Sequence, residues 1–436
     1  MAERARQRYL QRHSEPGLPP GPQPATPWRN VLVIPAYRED AELAHRLREL
    51  PAGPGRTLVI LVLNRPDSDP DREANADLRA AVAGLPEGCC PDTRELNRHA
   101  DLFLWDLDAR SGPLPAVRGV GLARKIGCDI AFRWMSEGAI SGRWICSTDA
   151  DARLPADYFH KLEAAPNAAV AATYPFWHGP GGDASCDLAT ALYELRLHHY
   201  VLGLEYAGSP YNRHTLGSCL VVSHDGYAGV RGFPQRSGGE DFYLLNKLAK
   251  TGPVARLGGD CIVLRSRQSE RVPFGTGPAV TRIMDSPRPL AAPLFYHPAC
   301  FLALRGLLAA VPALALAETP AGEADLAEGL RGQGLSPQLS LASARVLHTM
   351  GIGAALAHCR RQGKAPGQFA RQFQQWFDGF RTLKFIHGLR AADWPDQSLA
   401  ALGALQPHLW PTRPTGQIDD LRRAVLRHWG WTAPGA

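Results

Sequence analysis

The sequence contains no CxxC pair, no apolar segment behind its charged N-terminus and no long block of one charge. Each absence narrows what the chain can be. Nine cysteines run from Cys89 to Cys359, an odd count in which only Cys89-Cys90 are adjacent. Several, such as Cys146, Cys219 and Cys261, sit inside apolar runs, which fits buried free thiols in a reducing compartment rather than a disulfide framework or a zinc site. The opening MAERARQRYLQRH is polar, which excludes an ordinary secretory signal and makes the cytoplasm the expected location. The net charge is +6, with Lys and Arg scattered, so no nucleic-acid partner is expected. A mildly basic chain remains compatible with anionic substrates or with peripheral contact at the inner face of a membrane.

What the sequence does have is enough for a large core. Its 436 residues are 45% hydrophobic and 21% charged, which indicates one large globular domain plus an appended unit. Residues 1–29 end in a Pro/Gly-rich stretch and read as a flexible lead-in. Folded structure is expected from Asn30. Val31–Ile34 and Thr57–Leu63 are continuous apolar runs, as expected of strands buried on both faces. A helical pattern over Ala41–Leu50 lies between them. Leu102–Leu107 and Trp144–Ser147 are further strand candidates, with a long helix over Gly119–Met135 between them. This alternation predicts an α/β fold, a mixed and mostly parallel sheet flanked by helices over residues 30–289. A strand at Leu216–Ser223, a helix at Phe242–Lys250 and a strand at Ile262–Leu264 complete that domain. Residues 290–436 are Ala- and Leu-rich and predict a helical C-terminal region. Within it, Cys300–Leu316 carries Arg305 and Pro312, so a buried or interfacial helix is preferred to a membrane span.

Ligands of parallel α/β sheets bind at the carboxyl ends of the strands. Tyr37 and Glu39 follow the first strand, Asn64 the second, and Asp149-Ala150-Asp151 the WICST strand. Two carboxylates at that spacing can share a hard divalent cation, Mn²⁺ or Mg²⁺, beside a diphosphate. Some ninety residues on, Glu240-Asp241 opens a helix after a Gly-rich turn. There a carboxylate can cap the helix or serve as a general base. Arg265-Ser266-Arg267, with Arg271 before Phe274-Gly275-Thr276-Gly277, forms a basic stretch that reads equally as a loop closing over phosphate or as a solvated loop. None of the histidines at 178, 198, 199, 214 and 224 is assigned a role.

The segment VLVIPAYRED (Val31–Asp40) resembles the opening of family 2 glycosyltransferases of the GT-A fold. GVGLARKIG (Gly119–Gly127) is similar to that family's Ala-Arg-Asn/Lys helix, and Asp149–Asp151 to its DxD motif. Gly217-Ser218, Val230-Arg231-Gly232-Phe233 and Gly239-Glu240-Asp241 resemble its acceptor-side pattern. These motifs occur in order over residues 30 to about 270. The resemblance implies a nucleoside-diphosphate sugar donor, a hydroxyl acceptor that it does not identify, and transfer of one sugar with inversion. It places Pro35, Tyr37, Glu39, Asn64, Arg124, Lys125, Asp149 and Gly217 around the nucleotide sugar, and Arg265 and Arg267 join them where the basic stretch is read as a loop over phosphate. It makes Asp151, with Asp149, the metal ligand and Asp241 the base, oriented by Glu240. Two positions depart from the pattern: Asn64 stands where an acidic residue is common, and Arg38 where Asn is usual. RQFQQW (Arg371–Trp376) lacks the Arg of the box found in processive synthases, so a non-processive enzyme is expected. A nucleotidyltransferase would carry a Gly-rich phosphate loop with Arg and Lys near the first strand, which PAYRED lacks. A retaining transferase and a non-catalytic sugar-nucleotide-binding protein remain open alternatives, and a homo-oligomer is compatible with the helical region.

Overall fold

The computed structural model describes residues 2–236, 238–268, 275–316, 322–362, 365–405, 409–414 and 417–435. The chain divides into two compact units. One comprises Met1–Thr190, Thr215–Thr281 and Trp429–Ala436, the other Ala191–His214 and Arg282–His428.

The first unit is an α/β fold. Its strands are β1 (Asn30–Ala36), β2 (Thr57–Leu63), β3 (Thr93–Asn97), β4 (Ala100–Asp106), β5 (Trp144–Ser147), β6 (Ala152–Arg153), β7 (Ala171–Thr173), β8 (Phe176–Gly179), β9 (Leu220–Ser223), β10 (Val254–Arg256), β11 (Gly259–Asp260), β12 (Ile262–Arg265) and β13 (Trp431–Thr432). Eight of them form a mixed sheet ordered β10-β7-β9-β5-β1-β2-β4-β3. The central run β5-β1-β2-β4 is parallel, whereas β3 and β9 pair antiparallel with their neighbours. Every residue of β1 and β2 is buried, because a central strand covered on both faces has no polar side to present.

Helix α1 (Ala2–Arg12) opens the unit, followed by α2 (Glu42–Leu47), α3 (Ala76–Ala83), α4 (Leu107–Ser111) and α5 (Gly119–Ser136). Helix α6 (Ala184–Tyr206) carries the chain onward, and α7 (His224–Gly229) and α8 (Glu240–Leu248) follow β9. Helix α5 lies along β1 and β2; Ile126, Ile130, Val33, Ile60 and Val62 share one apolar cluster.

Residues 1–29 differ from the expected flexible lead-in. Tyr9, 1% exposed, packs against Phe132 and Tyr227 and donates to the buried Asp129 carboxylate at 2.5 Å. The Glu15 amide donates to the same carboxylate at 2.8 Å, and Arg133 and Trp134 reach the carbonyls of Leu18 and Pro19. A polar composition thus hides one aromatic anchor and a series of backbone acceptors that bind the segment along α5. Replacing Tyr9 by Ala would empty that slot and strip a donor from Asp129. The variant should lose about 3 kcal/mol in urea unfolding, and a loss below about 1 kcal/mol would mean the segment is not anchored there.

The second unit is helical, as expected for the C-terminal region. It includes Pro298–Leu316, Glu323–Gly332, Pro337–Thr349, Ile352–Gln362, Pro366–Trp376, Gly379–Ala392, Leu399–Leu405 and Ile418–His428. Pro298–Leu316 is long and apolar enough to cross a membrane by length and composition. Cys300, Phe301, Ala303, Leu304 and Leu307 on it are fully or almost fully buried. Arg422 holds the buried Glu194 through two hydrogen bonds of 2.8 and 2.9 Å. His198 and His214 share a hydrogen bond of 3.0 Å.

Candidate active site

Parallel strands β1 and β5 end side by side, and the turn after β5 carries Asp149-Ala150-Asp151. The turn is held by its backbone: Thr148 donates its amide to Val33 O at 3.1 Å and its hydroxyl to Ser218 O at 3.0 Å. Ser218 in turn donates its hydroxyl to Asp149. Opposite stands the start of α8, where Gly239 adopts φ 68, a left-handed conformation natural to glycine. Glu240 follows, 4% exposed, and Asp241 is partly buried with its carboxylate accepting from the Phe242 amide at 2.6 Å.

Arg124, from the buried face of α5, joins the two acidic pairs. Its Nη2 donates to Asp149 Oδ1 at 2.7 Å and its Nε to Glu240 Oε1 at 3.1 Å, while Nη1 reaches Ser147 Oγ at 2.6 Å and Gly217 O at 3.3 Å. A Cβ on Gly217 would meet Arg124 Nη2 at 2.8 Å, so a side chain there would disturb the bridge. Burial opposes ionisation of Asp149, yet Arg124 and the Ser218 hydroxyl outweigh it and hold the carboxyl below its usual range. Asp241 moves the other way. Burial, then the neighbouring Glu240 carboxylate, push its carboxyl up to about 7.

A second ion pair closes the other end of the turn. β12 pairs antiparallel with β6 and brings the chain after Arg265 over Asp151. Arg267 Nε donates to Asp151 Oδ2 at 2.6 Å and also feels Glu39 and Asp149. Arg265 is exposed at the end of β12. Arg271 and Phe274 lie outside the described residues.

Pro35 is buried near the end of β1, and Tyr37 just after the strand donates to Asp69 at 2.6 Å. Arg38 pairs with both oxygens of Asp69 at 2.9 Å, and Arg38 first, then Tyr37, hold that carboxyl far below the ordinary range. Arg38 has φ 53, a left-handed backbone conformation that Asn adopts more easily than Arg. Asn64 is buried and spends its amide on Ala36 O at 3.0 Å, fixing the end of β1.

The sequence-based site is therefore assembled in part. Asp149, Asp151, Gly217, Glu240, Asp241, Arg124, Arg267 and Glu39 lie around one strand end. Lys125 does not. It faces away from that site and binds Asp129 at 2.6 Å, Tyr9 at 3.1 Å and His13 O at 2.8 Å, because neighbouring residues of a helix point about 100° apart. Arg124 is committed to carboxylates rather than standing open to a base or phosphate. Three contributors went unassigned in the sequence: Ser147, Ser218 as a ligand of Asp149, and Asp69. Ser218 sits in a quoted motif and Asp69 in a polar cluster after β2, but neither position marks its partner.

Mn²⁺ and Mg²⁺ commonly take one or two carboxylates and complete their shell with substrate phosphates and water. Asp151 offers Oδ1 beside the oxygen paired with Arg267, and both oxygens of Asp149 already accept hydrogen bonds. No group of three His, Cys, Asp or Glu side chains poised for a metal occurs among the described residues. The set fits a cation held largely by a ligand's own phosphates rather than by a protein cage.

No family model and no curated protein matches the sequence. Solved structures with a similar outline include a mannosyltransferase, PcManGT from Pyrobaculum calidifontis, in complex with GDP-Man and Mn²⁺. It is 17% identical, with 86% of this chain and 95% of that one covered, at a TM-score of 0.36. S. aureus TarS 1–349 in complex with UDP-GlcNAc is 11% identical, with coverage of 79% and 91% and a TM-score of 0.35. Likenesses this loose decide neither the fold nor the reaction.

Proposed function

We propose that the chain is a glycosyltransferase that moves one sugar from a nucleoside-diphosphate donor to an acceptor hydroxyl, with metal assistance and inversion. The observation that carries this reading is the meeting of Asp149-Ala150-Asp151 with Glu240-Asp241 across Arg124, between segments that resemble family 2 glycosyltransferases.

In this reading Arg267 swings from Asp151 toward the donor diphosphate, to which a guanidinium can pair through two hydrogen bonds. Glu39 and Tyr37 line the nucleotide side. A divalent cation beside Asp151, Mn²⁺ or Mg²⁺, would neutralise the charge growing on the departing diphosphate. Asp241, raised toward neutral pH, takes the proton of the acceptor hydroxyl as that oxygen attacks the anomeric carbon from the face opposite the leaving group. Glu240, anchored by Arg124, fixes the start of α8 that presents Asp241. The single base placed among the described residues, together with the family resemblance, favours inversion over a retaining course.

The test is a panel of nucleoside diphosphates and sugar nucleotides, with and without Mn²⁺, read by thermal shift and by transfer. At least one sugar nucleotide should raise Tm more with Mn²⁺ than without, and its transfer product should have the inverted anomer. Asp151→Ala should abolish the Mn²⁺-dependent part of the shift and lower turnover at least about a hundredfold. A donor that binds with neither hydrolysis nor transfer would instead favour the non-catalytic binding protein.

A further inference from the structure

Helix α1 carries Arg4, Arg8 and Arg12 at spacings of four, which places them on one face over about 12 Å. All three are exposed, and none has an ion-pair partner among the described residues. Arg6, on a different face, is neutralised by Asp225 at 2.7 Å and by Glu3. The Tyr9 anchor on the inner side of the helix fixes which face looks outward. Like charges four residues apart weaken a helix by a few tenths of a kcal/mol per pair, so the stripe costs the helix a little of its own stability.

The stripe continues onto neighbouring elements. The Arg231-Gly232 turn packs against α1, where a Cβ on Gly232 would run into the Tyr9 hydroxyl, and the His13 imidazole at the end of α1 is pushed down by burial and then by Arg231, Arg8, Lys125 and Arg12. Arg231 and Arg236 in turn act on Lys247 of α8. Arg231, Arg236 and Lys247 are exposed. The Tyr243 ring beside them carries the Arg236 guanidinium 4.0 Å from its centre, so that face of the ring is already taken and does not offer itself for base stacking.

We propose that this surface, formed by Arg4, Arg8, Arg12, Arg231, Arg236 and Lys247, docks the protein on an anionic lipid bilayer. The stripe, with Gln7 and Gln11 between its arginines, lines a wide and very open depression, a shape that suits a plane of negative headgroups. Basic residues near such a plane contribute about 1 kcal/mol each, and clusters of four to eight are typical of it. α1 adds no apolar wedge, since Tyr9 is buried and Leu10 is partly covered, so the attachment is electrostatic and reversible.

The full chain should co-sediment with phosphatidylcholine vesicles containing about one-third phosphatidylglycerol, and not with phosphatidylcholine alone. The bound fraction should collapse as salt shortens the screening length below about 5 Å. Arg4→Glu, Arg8→Glu and Arg12→Glu together should weaken binding at least about a hundredfold. Arg29→Glu, Arg48→Glu and Arg72→Glu together change net charge equally at exposed positions elsewhere and should leave binding nearly intact. Equal Tm values for both triple variants and the parent establish that all are folded. No binding to the anionic vesicles, equal binding to both vesicle types, equal loss in both variants, or displacement by duplex DNA at matched charge would each overturn the proposal.

Discussion

Asp241→Asn should lower kcat by about 10²- to 10⁴-fold, the range over which general bases contribute. Donor binding should remain within a few-fold, because the amide keeps the shape and the contact with the Phe242 amide. The pH profile makes the prediction sharper. A base must be ionised to accept a proton, and burial and Glu240 hold Asp241 at about 7. The parent's kcat should therefore rise tenfold per pH unit below that value and level off above it. The variant should lose this limb and show a low, flat rate. Undiminished kcat in Asp241→Asn, with donor still bound, removes Asp241 from the mechanism. A parent profile flat between pH 5 and 8 would separate the residue from the proton transfer even if the substitution were harmful.

Arg124→Met carries the largest expected cost to stability. The guanidinium side chain is 3% exposed and faces Asp149 and the buried Glu240 at once. A methionine fills much of the volume and leaves both carboxylates without their countercharge. Breaking a buried pair from one side costs about 3–5 kcal/mol, measurable in urea unfolding. Turnover should fall further than stability accounts for, since α8 loses the bond that fixes its first residue. Arg124→Lys should recover part of the stability but little activity, because a single ammonium cannot span two carboxylates, a hydroxyl and a carbonyl. A variant within about 1 kcal/mol of the parent would show that the bridge is incidental.

Legibility followed the physics of each element. β1, β2 and β5 stand out in sequence because strands covered on both faces are written as unbroken apolar runs. Helix α6 does not, although it has 23 residues. Its buried positions include Glu194, His198 and His199, whose partners lie up to 228 residues away, so no local pattern announces a core helix. α1 was hidden for the opposite reason, as a polar helix with one buried aromatic. At the site, the carboxylates and their strand and helix ends could be read directly. The partners could not. Arg124 and Lys125 are adjacent cations, yet one joins two acidic motifs and the other clamps the N-terminal segment, a distinction set by helix rotation. Asp69, which organises Tyr37 and Arg38, lies in a loop without periodicity.

The strand β13, at Trp431–Thr432, pairs with β11 and sends the Trp431 indole to Leu257 O at 2.9 Å. Most of the helical unit, Arg282–His428, thus lies in sequence between β11 and β13, the two strands of one small parallel pair. During synthesis, the ribosome must deliver some 170 further residues after β11 before that pair can close. The α/β unit would emerge with that pair open, and removing Trp431–Thr432 would act on it rather than on the helices that precede them in sequence.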